Sequence, residues 1–217
     1  MAGVSERLAA VRERIASAGG DPEKVMVVGV TKGFGADAVK EAVAAGLTDV
    51  GENYAQELVT KAGELGDAVR WHYLGAVQRN KVAALAPHVA LWQGLDRVAA
   101  VEEIARRAPG AHVLVQVNVD RRAGRNGCAP ADAGNVVATA RARDLVVDGL
   151  MAVASPDLDA ARRQFRELAL MRADLGLREL SIGMTDDLEV AVEEGSTMVR
   201  IGRALFGARP ERREMRR

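Results

Sequence analysis

The stretch "VMVVGVTKGFG", residues 25–35, defines the first structural unit of the chain. Its first six residues are apolar or small, which indicates a buried strand, and Gly33 and Gly35 then mark a turn before a helical segment. Lys32 follows the strand directly, although lysine is among the residues least often buried without a partner. The stretch therefore raises the question of what a lysine does at the end of a buried strand.

The same strand–turn–helix pattern recurs along the whole chain after an opening helix over residues 4–18. Short β-rich runs alternate with longer segments of helical period, which is typical of βα units and a parallel sheet. The predicted strands are residues 25–30, 47–50, 70–74, 89–92, 112–119, 146–151, 178–182 and 197–201. Eight such units favour an α/β fold, a single (β/α)8 barrel of the TIM type with an extra N-terminal helix. An open doubly wound sheet is the alternative, and it usually has fewer strands.

Length, composition and charge limit the classes of function. The chain has 217 residues, of which 48% are hydrophobic and 28% charged, so a single domain over residues 1–217 with a substantial core is expected. Within it we assign residues 4–209 to the core and 210–217 to a charged tail. Thirty basic and thirty acidic residues cancel, which argues against a nucleic-acid partner. No apolar run reaches the ~18–20 residues that a membrane span needs.

Cysteine and histidine usage points to a reducing compartment without a metal site. The one cysteine, Cys128, cannot form an internal disulfide, so a cytoplasmic location is expected. Cys128 lies in a loop-like stretch, where a small structural residue is a better interpretation than a nucleophile. The three histidines are scattered, and His72 in particular falls within a predicted strand, which favours a core or hydrogen-bonded role.

In a barrel of this kind the active site lies at the C-terminal ends of the strands. Closure of the barrel makes the first and last strands neighbours, so Lys32 and Arg200 are expected to face the same end. The chain has five lysines and twenty-five arginines, so a lysine at this position is unusual. Lysine, unlike arginine, can lose its proton and attack a carbonyl, which makes a Schiff base at Lys32 a chemical option. The alternative is a lysine that only seals the strand end with its apolar stem.

The loops after the seventh and eighth strands are where phosphate sites recur in such barrels. They contain Gly183 and Thr185 in "IGMTDD" and Gly202 in "IGRALFG", followed by a predicted helix start. Glycines let backbone N–H groups close around an anion, and a helix start adds its dipole. The alternative is a pair of ordinary βα turns with polar caps. Asn53, after the second strand, could likewise reach a ligand or cap the helix predicted over residues 53–65.

Five motifs in order resemble the pyridoxal-phosphate homeostasis protein family. They are "VGVTK" (28–32), "GENYAQE" (51–57), "WHYLGAVQRNK" (71–81), "GLMAV" (149–153) and "SIGMTDDLEVAVEEGSTMVRIGRALFGAR" (181–209). The resemblance covers residues 4–209 and implies the barrel of the alanine racemase N-terminal domain. It also implies that pyridoxal 5′-phosphate (PLP) is the cofactor, held as an internal aldimine on Lys32.

The resemblance assigns further site residues one by one. Arg200 would face the pyridine nitrogen, and a guanidinium there weakens the cofactor as an electron sink. Gly183, Thr185 and Gly202 would hold the phosphate, and Asn53 would lie beside the ring.

Three departures from the family pattern stand out. Thr185 replaces a common serine and keeps the hydroxyl. Arg203 replaces a common threonine or serine after "RIG". Gly33-Phe34-Gly35 offers no second lysine, so a transfer role for that lysine is in doubt here.

The resemblance implies a cofactor carrier with little or no turnover, with PLP-dependent apoenzymes as partners and a monomer as the expected state. The alternative is a PLP-dependent amino-acid racemase, which needs a base on each face of the α-carbon. In the racemases the second base comes from a separate C-terminal domain, and the chain ends shortly after its eighth predicted strand. A lysine-using aldolase-type barrel that acts on a phosphorylated sugar is a third class of enzyme with similar phosphate loops.

Overall fold

The computed structural model describes residues 3–208, which form eight parallel strands closed into a barrel. The strands are β1 (Met26–Val30), β2 (Asp49–Glu52), β3 (Arg70–Tyr73), β4 (Val89–Leu95), β5 (His112–Gln116), β6 (Val146–Met151), β7 (Glu179–Ser181) and β8 (Met198–Ile201). The helices are α1 (Val4–Ser17), α2 (Ala36–Ala44), α3 (Ala55–Leu65), α4 (Arg79–Leu85), α5 (Val98–Arg107), α6 (Ala133–Ala142), α7 (Leu158–Asp174), α8 (Leu188–Glu193) and α9 (Arg203–Phe206). Short 3-10 turns lie at Gly66–Ala68 and Pro130–Asp132. The predicted charged tail, residues 210–217, lies outside the described residues.

The barrel closes through parallel pairing of β1 with β8, in which Val28 lies opposite Arg200. The prediction of a (β/α)8 barrel with an extra N-terminal helix is thus confirmed, and the open doubly wound sheet is excluded. Closure also confirms that the first and last strands are neighbours. It follows that the loops after β1 and β8 lie side by side at the end of the barrel where the strands finish, which we call the C-terminal mouth.

Three of the strands predicted from the sequence differ from the structure by two residues or more at a boundary. The second strand is Asp49–Glu52 rather than residues 47–50. The fourth strand runs to Leu95 rather than residue 92, because Gln93 is satisfied by hydrogen bonds inside the barrel and Gly94 packs without a side chain against the carbonyl of Gly75. The fifth strand ends at Gln116 rather than residue 119. Beyond it the backbone turns to pair with Cys128, which accepts a hydrogen bond from the amide of Asn118.

Apolar side chains pack against both faces of the closed sheet. The larger cluster lies between the strands and the outer helices and includes the fully buried Trp92 and Phe165. A small cluster fills the inside of the barrel, and its members are Val28, Leu91, Leu114, Met151 and Met198. The alternation of inward and outward side chains along each strand separates the two clusters. Several polar side chains also point into this interior, among them His72, Gln93 and Ser181.

The opening helix α1 packs against the last units of the barrel. Its buried residues, Val4, Leu8, Val11 and Ile15, recur at helical spacing, and the last three join a cluster with residues of β1, α8, β8 and α9. Polar contacts from the same helix then reach the loops of the C-terminal mouth. The guanidinium of Arg7 donates to the carbonyl of Leu205 at 3.0 Å. The extra helix therefore supports the end of the chain that forms the mouth.

The described residues include neither a membrane-spanning helix nor a metal-type cluster of side chains. Within residues 3–208 no helix is both long and apolar enough to cross a bilayer. The same part of the chain contains no group of three or more His, Cys, Asp or Glu side chains placed to hold a metal ion.

The pairing of β6 with β7 predicts one position where a methyl group cannot be accommodated. Gly149 lies opposite Glu179, and a Cβ there would overlap the backbone carbonyl of Glu179. We expect Gly149→Ala to lower the free energy of unfolding by about 3 kcal/mol, because the neighbour is backbone and cannot move aside. Urea denaturation followed by circular dichroism measures the change.

Gly63→Ala is the matched control, since Gly63 lies in α3 with open space around it. This change should raise the free energy of unfolding by about 0.5–1 kcal/mol through helix propensity. Equal stabilities for the two variants would contradict the close β6–β7 packing.

Candidate functional site

A cavity of about 480 Å³ opens at the C-terminal mouth. Five of the six residues singled out from the sequence line it: Lys32, Asn53, Thr185, Arg200 and Gly202. The sixth, Gly183, lies behind the lining, where its carbonyl accepts a hydrogen bond from the backbone amide of Arg200 at 2.9 Å. Apolar side chains of Val30, Leu74 and Met151 complete the floor. The cavity thus combines an amine, a guanidinium and two glycine-containing loops above an apolar base.

Lys32 is half-buried in the short loop that follows β1. Thr31, one residue earlier, is buried, and its hydroxyl donates to the Glu52 carboxylate at 2.7 Å. On the other side of Lys32, the amide of Gly33 donates to the carboxylate of Glu57 at 2.8 Å. Side chains from β2 and α3 therefore hold the backbone on both sides of Lys32.

A buried ion pair lies directly beneath this loop. The ammonium of Lys61 lies 2.5 Å from a carboxylate oxygen of Glu52 and 2.9 Å from the carbonyl oxygen of Thr31. Both side chains are nearly or fully buried, at 5% and 0% exposure. Burial raises the pKa of Glu52, while the charge and hydrogen bond of Lys61 and the hydroxyl of Thr31 oppose the rise. The pair therefore joins α3 to the lysine loop through two well-made contacts.

This ion pair was missed in the sequence, although a signal for it existed. Lys61 lies on the same face of the predicted helix as Leu58 and one position before Ala62, both of which are buried. A lysine within an apolar face needs a buried partner. Glu52, at the end of the neighbouring strand, is the acid that tertiary packing brings to it.

Arg200 is almost fully buried, at 5% exposure, and its guanidinium is held from two sides. Nη1 donates to the carbonyl and the hydroxyl oxygen of Ser181, each at 2.7 Å, and Nη2 donates to the carbonyl of Ala152 at 2.8 Å. Burial lowers the pKa of Arg200 to about 10, with the Asp187 carboxylate opposing the shift. The guanidinium therefore keeps its charge at neutral pH in a place where its direction is fixed.

The loops predicted to bind phosphate approach each other at the mouth. Gly183 has a φ of 94°, a left-handed conformation that favours glycine, and a Cβ there would press on Ala191. The Thr185 hydroxyl accepts a hydrogen bond from the amide of Ala204 at 3.4 Å, and the Thr185 carbonyl accepts one from Arg14 of α1 at 2.8 Å. The two loops are thus connected to each other and to the opening helix.

Arg203, the second departure from the family pattern, has a partner in the structure. Arg203 lines the cavity at the start of the single-turn helix α9 and forms an ion pair with Asp186, which also lines it. A cationic side chain consequently replaces a hydroxyl beside Gly202. Because Asp186 neutralises part of this charge, an anion that enters the cavity would compete with the Asp186 carboxylate for Arg203.

Gln116 is a second lining residue that sequence reasoning missed. It ends β5, is buried, and its side-chain oxygen has no hydrogen-bond partner among the described residues. A buried amide oxygen without a partner is costly, and a ligand donor in the cavity would satisfy it. No local pattern in the predicted strand 112–119 marked this residue, because its exposure to the cavity depends on barrel closure.

The remaining sequence predictions are settled by burial and hydrogen bonding. His72 is fully buried and hydrogen-bonded to Asp49 and Gln93, which confirms the structural interpretation. Cys128 is buried, and this burial raises the pKa of its thiol to about 11, so the thiolate needed for nucleophilic attack is scarce at neutral pH. Asp187, the residue before α8, accepts a hydrogen bond from the backbone amide of Met184 in the preceding loop.

The comparisons with known proteins agree with this architecture. The model of the family described as "Alanine racemase, N-terminal domain" matches residues 4–210. A protein of Pseudomonas aeruginosa named "Pyridoxal phosphate homeostasis protein" is 42% identical over 217 residues, which cover 95% of this chain and 94% of the relative. A protein of the same name from Escherichia coli strain K12 is 36% identical over 227 residues, covering 95% and 97% of the two chains.

Among solved structures, that of PipY from Synechococcus elongatus is described as having PLP bound. It superposes with a TM-score of 0.83 at 30% identity and covers 94% of this chain and 100% of that chain. The similarity therefore extends over the whole barrel and both phosphate-type loops.

The buried ion pair beneath the lysine loop predicts a strong effect of substitution. Lys61→Met should lower the free energy of unfolding by about 3–5 kcal/mol, because Glu52 is left as an uncompensated buried charge. Adding Glu52→Gln should restore part of the loss, since the amide carries no charge to bury. Chemical denaturation of the single and double variants measures both changes.

Lys40→Met is the control, since Lys40 forms an exposed ion pair with Asp37. This variant should unfold at the wild-type midpoint. A Lys61→Met protein as stable as Lys40→Met would show that the buried pair does not support the loop.

Proposed function

The chain belongs to the family of pyridoxal phosphate homeostasis proteins, built on the alanine racemase N-terminal domain, and from that premise we propose that it binds PLP through Lys32. In this proposal the chain holds the cofactor and delivers it, with little or no catalytic turnover. The observation that carries the proposal is the joint presence of Lys32, Arg200 and two glycine-containing loops around one cavity. The names of the curated relatives and the PLP-bound PipY structure support it.

The cavity fits the chemical groups of PLP. An aldehyde needs an amine, which Lys32 offers, and a phosphate needs backbone N–H groups and positive charge, which the loops around Thr185, Gly202 and Arg203 offer. The pyridine nitrogen needs a polar neighbour, for which Arg200 is the candidate. The apolar floor suits the flat ring. Asn53 lines the cavity and is proposed to lie beside the ring, whereas Gly183 shapes the phosphate loop from behind.

Covalent attachment requires only the lysine and the aldehyde. Lys32 would hold the cofactor by condensation of its amine with the aldehyde, with loss of one molecule of water. Because water or another amine would reverse this condensation, the attachment would be compatible with release. The tethered backbone around Thr31 and Gly33 keeps the amine at the mouth through both directions of the reaction.

Arg200 provides the physical reason for low turnover. PLP supplies an electron sink when its ring nitrogen is protonated. A guanidinium that stays charged at neutral pH beside that nitrogen disfavours its protonation. The three hydrogen bonds of Arg200 to Ser181 and Ala152 hold the guanidinium in place. We therefore expect a bound cofactor that is poorly suited to stabilise carbanions.

The other ionisable side chains that line the described part of the cavity are engaged in an ion pair. Besides Lys32 and Arg200 they are Asp186 and Arg203, which pair with each other. An amino-acid racemase needs a second base opposite the lysine. The paired Asp186 is a weak candidate, which favours a carrier over a racemase.

The remaining expectations concern partners and location. We propose PLP-dependent apoenzymes as recipients, a monomeric state and a cytoplasmic location. Three of the large apolar side chains that are exposed are Tyr54, just before α3, and Leu158 and Leu170, at the start of α7 and nearer its end. Apolar side chains spaced in this way are typical of single surface residues rather than of one contiguous interface. The single cysteine is compatible with a reducing compartment.

The proposal predicts a coloured protein whose colour depends on Lys32. Purified chain mixed with PLP should show a Schiff-base absorption band, and borohydride should reduce the C=N bond so that mass spectrometry locates the cofactor on the peptide that contains Lys32. Lys32→Ala should lose the band while retaining its circular dichroism spectrum. Lys24→Ala, at an exposed lysine paired with Asp21, is the matched control and should keep the full band.

A band of full intensity in Lys32→Ala, or reduction that fixes the cofactor on another lysine of the wild-type chain, would contradict the assignment of Lys32. A wild-type chain that stays colourless after prolonged incubation with PLP would end the cofactor proposal itself.

The carrier proposal also predicts a near absence of chemistry at the α-carbon of amino acids. The PLP-loaded chain in D₂O should exchange the α-hydrogen of alanine no faster than free PLP does, because Arg200 disfavours the electron sink and a second base is lacking among the described lining residues. Proton NMR of the alanine α-hydrogen measures the rate, with free PLP as the control. Exchange at the rate of an ordinary racemase would overturn the carrier proposal and leave PLP binding intact.

A further inference from the structure

A chain of polar side chains crosses the inside of the barrel from β2 to β8. The His72 ring nitrogen Nε2 lies 2.9 Å from a carboxylate oxygen of Asp49, and its Nδ1 lies 2.8 Å from the amide nitrogen of Gln93. The amide oxygen of Gln93 accepts a hydrogen bond from the Ser181 hydroxyl at 2.7 Å, and that hydroxyl oxygen accepts one from Arg200 at 2.7 Å. We call these five residues the barrel relay.

The barrel relay is isolated from water over most of its length. His72, Gln93 and Ser181 are fully buried, and Arg200 is 5% exposed. Only the far end approaches solvent, where the Asp49 side chain is 15% exposed and Arg70 lies 3.6 Å away. Buried polar side chains weaken a barrel interior unless each is satisfied, so their retention here needs a reason.

The carboxylate of Asp49 sets the direction of every hydrogen bond in the relay. Burial opposes ionisation of this carboxyl, but the hydrogen bond from His72 and the charge of Arg70 lower its pKa. An ionised Asp49 can only accept, so His72 donates from Nε2, and the Gln93 amide nitrogen that faces Nδ1 makes Nδ1 an acceptor.

The acceptor at Nδ1 then determines the rest of the relay. Gln93 must direct its amide nitrogen towards His72 and its oxygen towards Ser181, so the Ser181 hydroxyl donates its proton to Gln93. The lone pairs of that hydroxyl remain for Arg200. The second proton of the Gln93 amide is directed at the sulfur of Met198, 3.1 Å away. The donor and acceptor atoms of each side chain in the barrel relay therefore have one orientation.

The consequence reaches the cavity through Arg200. Its hydrogen bonds to Ser181 and Ala152 use three of the five N–H donors of the guanidinium. Among the hydrogen bonds of the described residues, Nε–H and one Nη2–H have no other acceptor. These two donors belong to a side chain that lines the cavity.

We propose that His72 and Gln93 are positioning residues: together with Ser181 they transmit the direction set by Asp49 to the guanidinium of Arg200, so that its two remaining donors face the cofactor cavity. The relay stands on the structure, and its effect on PLP rests on the proposed function. In this role Asp49, at the opposite end of the barrel, influences how firmly the cofactor is held, although it does not line the cavity.

The test uses substitutions that break the relay without enlarging the barrel interior. Gln93→Met keeps the length of the side chain and removes the amide, Asp49→Asn keeps the shape and removes the charge, and Ser181→Ala removes the hydroxyl. The matched controls are Ser196→Ala, which removes another buried hydroxyl bonded only to backbone carbonyls, and Arg70→Gln, which keeps Asp49.

Two readouts do not involve PLP. In the full chain without cofactor, nitrogen NMR of the histidines should show His72 as the Nε2–H tautomer, and Asp49→Asn should reduce the share of that tautomer. Hydrogen exchange at the Nε–H of Arg200, assigned with Arg200→Lys, should accelerate about fivefold or more in the three relay variants, as loss of one buried hydrogen bond implies. The two controls should exchange at the wild-type rate.

A third readout uses the PLP-loaded chain. The relay variants should release PLP about five- to tenfold faster than wild type and should shift the Schiff-base absorption band, since the guanidinium beside the ring has lost its fixed direction. The controls should match wild type in both. Circular dichroism establishes that each variant is folded, and if Gln93→Met is not, the near-isosteric Asp49→Asn and Ser181→Ala carry the test.

The outcomes separate the two proposals. A wild-type chain that binds no PLP contradicts the proposed function, while the two NMR readouts still decide the relay. A His72 ring protonated on Nδ1 alone in wild type overturns the relay. So does an unchanged Arg200 exchange rate in Asp49→Asn and Ser181→Ala, or an acceleration equalled by Ser196→Ala, which would show a general effect of removing a buried hydroxyl.

Discussion

The pairing of β1 with β8 is the constraint on which the rest of the molecule depends. Its hydrogen bonds place Val28 opposite Arg200. Lys32 and Arg200, which are far apart in the chain, therefore line the same cavity. Without closure, Lys32 would sit at a sheet edge and Arg200 at the opposite edge. The loops around Gly183 and Gly202 also depend on closure, because they meet the lysine loop only at the C-terminal mouth.

Polar groups buried inside and beside the barrel give the site its rigidity at an energetic cost. Charges and amides taken out of water destabilise the fold unless each finds a partner. Two separate solutions are present. Glu52 and Lys61 pair between the barrel and α3 and hold the lysine loop, whereas the barrel relay links Asp49 to Arg200 through the interior. Both solutions act on a residue of the cavity from behind, where a ligand does not reach.

The fold and most of the candidate site could be predicted from the sequence, because they rest on local patterns. Alternation of β-rich and helical segments indicated eight units, and the polar residues and glycines at or just after the strand ends indicated five residues that line the cavity. The limits appear at Gln93 and Gln116. The "QGL" segment is typical of a turn, since its strand conformation depends on the partners of Gln93 across the barrel. Gln116 resembles any polar residue in a strand until closure places its amide in the cavity.

The sequence by itself determined the order of the elements, the reducing-type cysteine usage and the presence of a lysine after the most apolar strand. These features depend on residues close together in the chain, where hydrophobic period and turn chemistry act. Only the tertiary structure decided which polar groups satisfy one another. Lys61 and Glu52, or Gln93 and Ser181, meet across elements, and their hydrogen bonds depend on distances and directions that no local pattern encodes. Lys32 was visible from the start, and the residues that position it and its partner Arg200 became visible only once the barrel had closed.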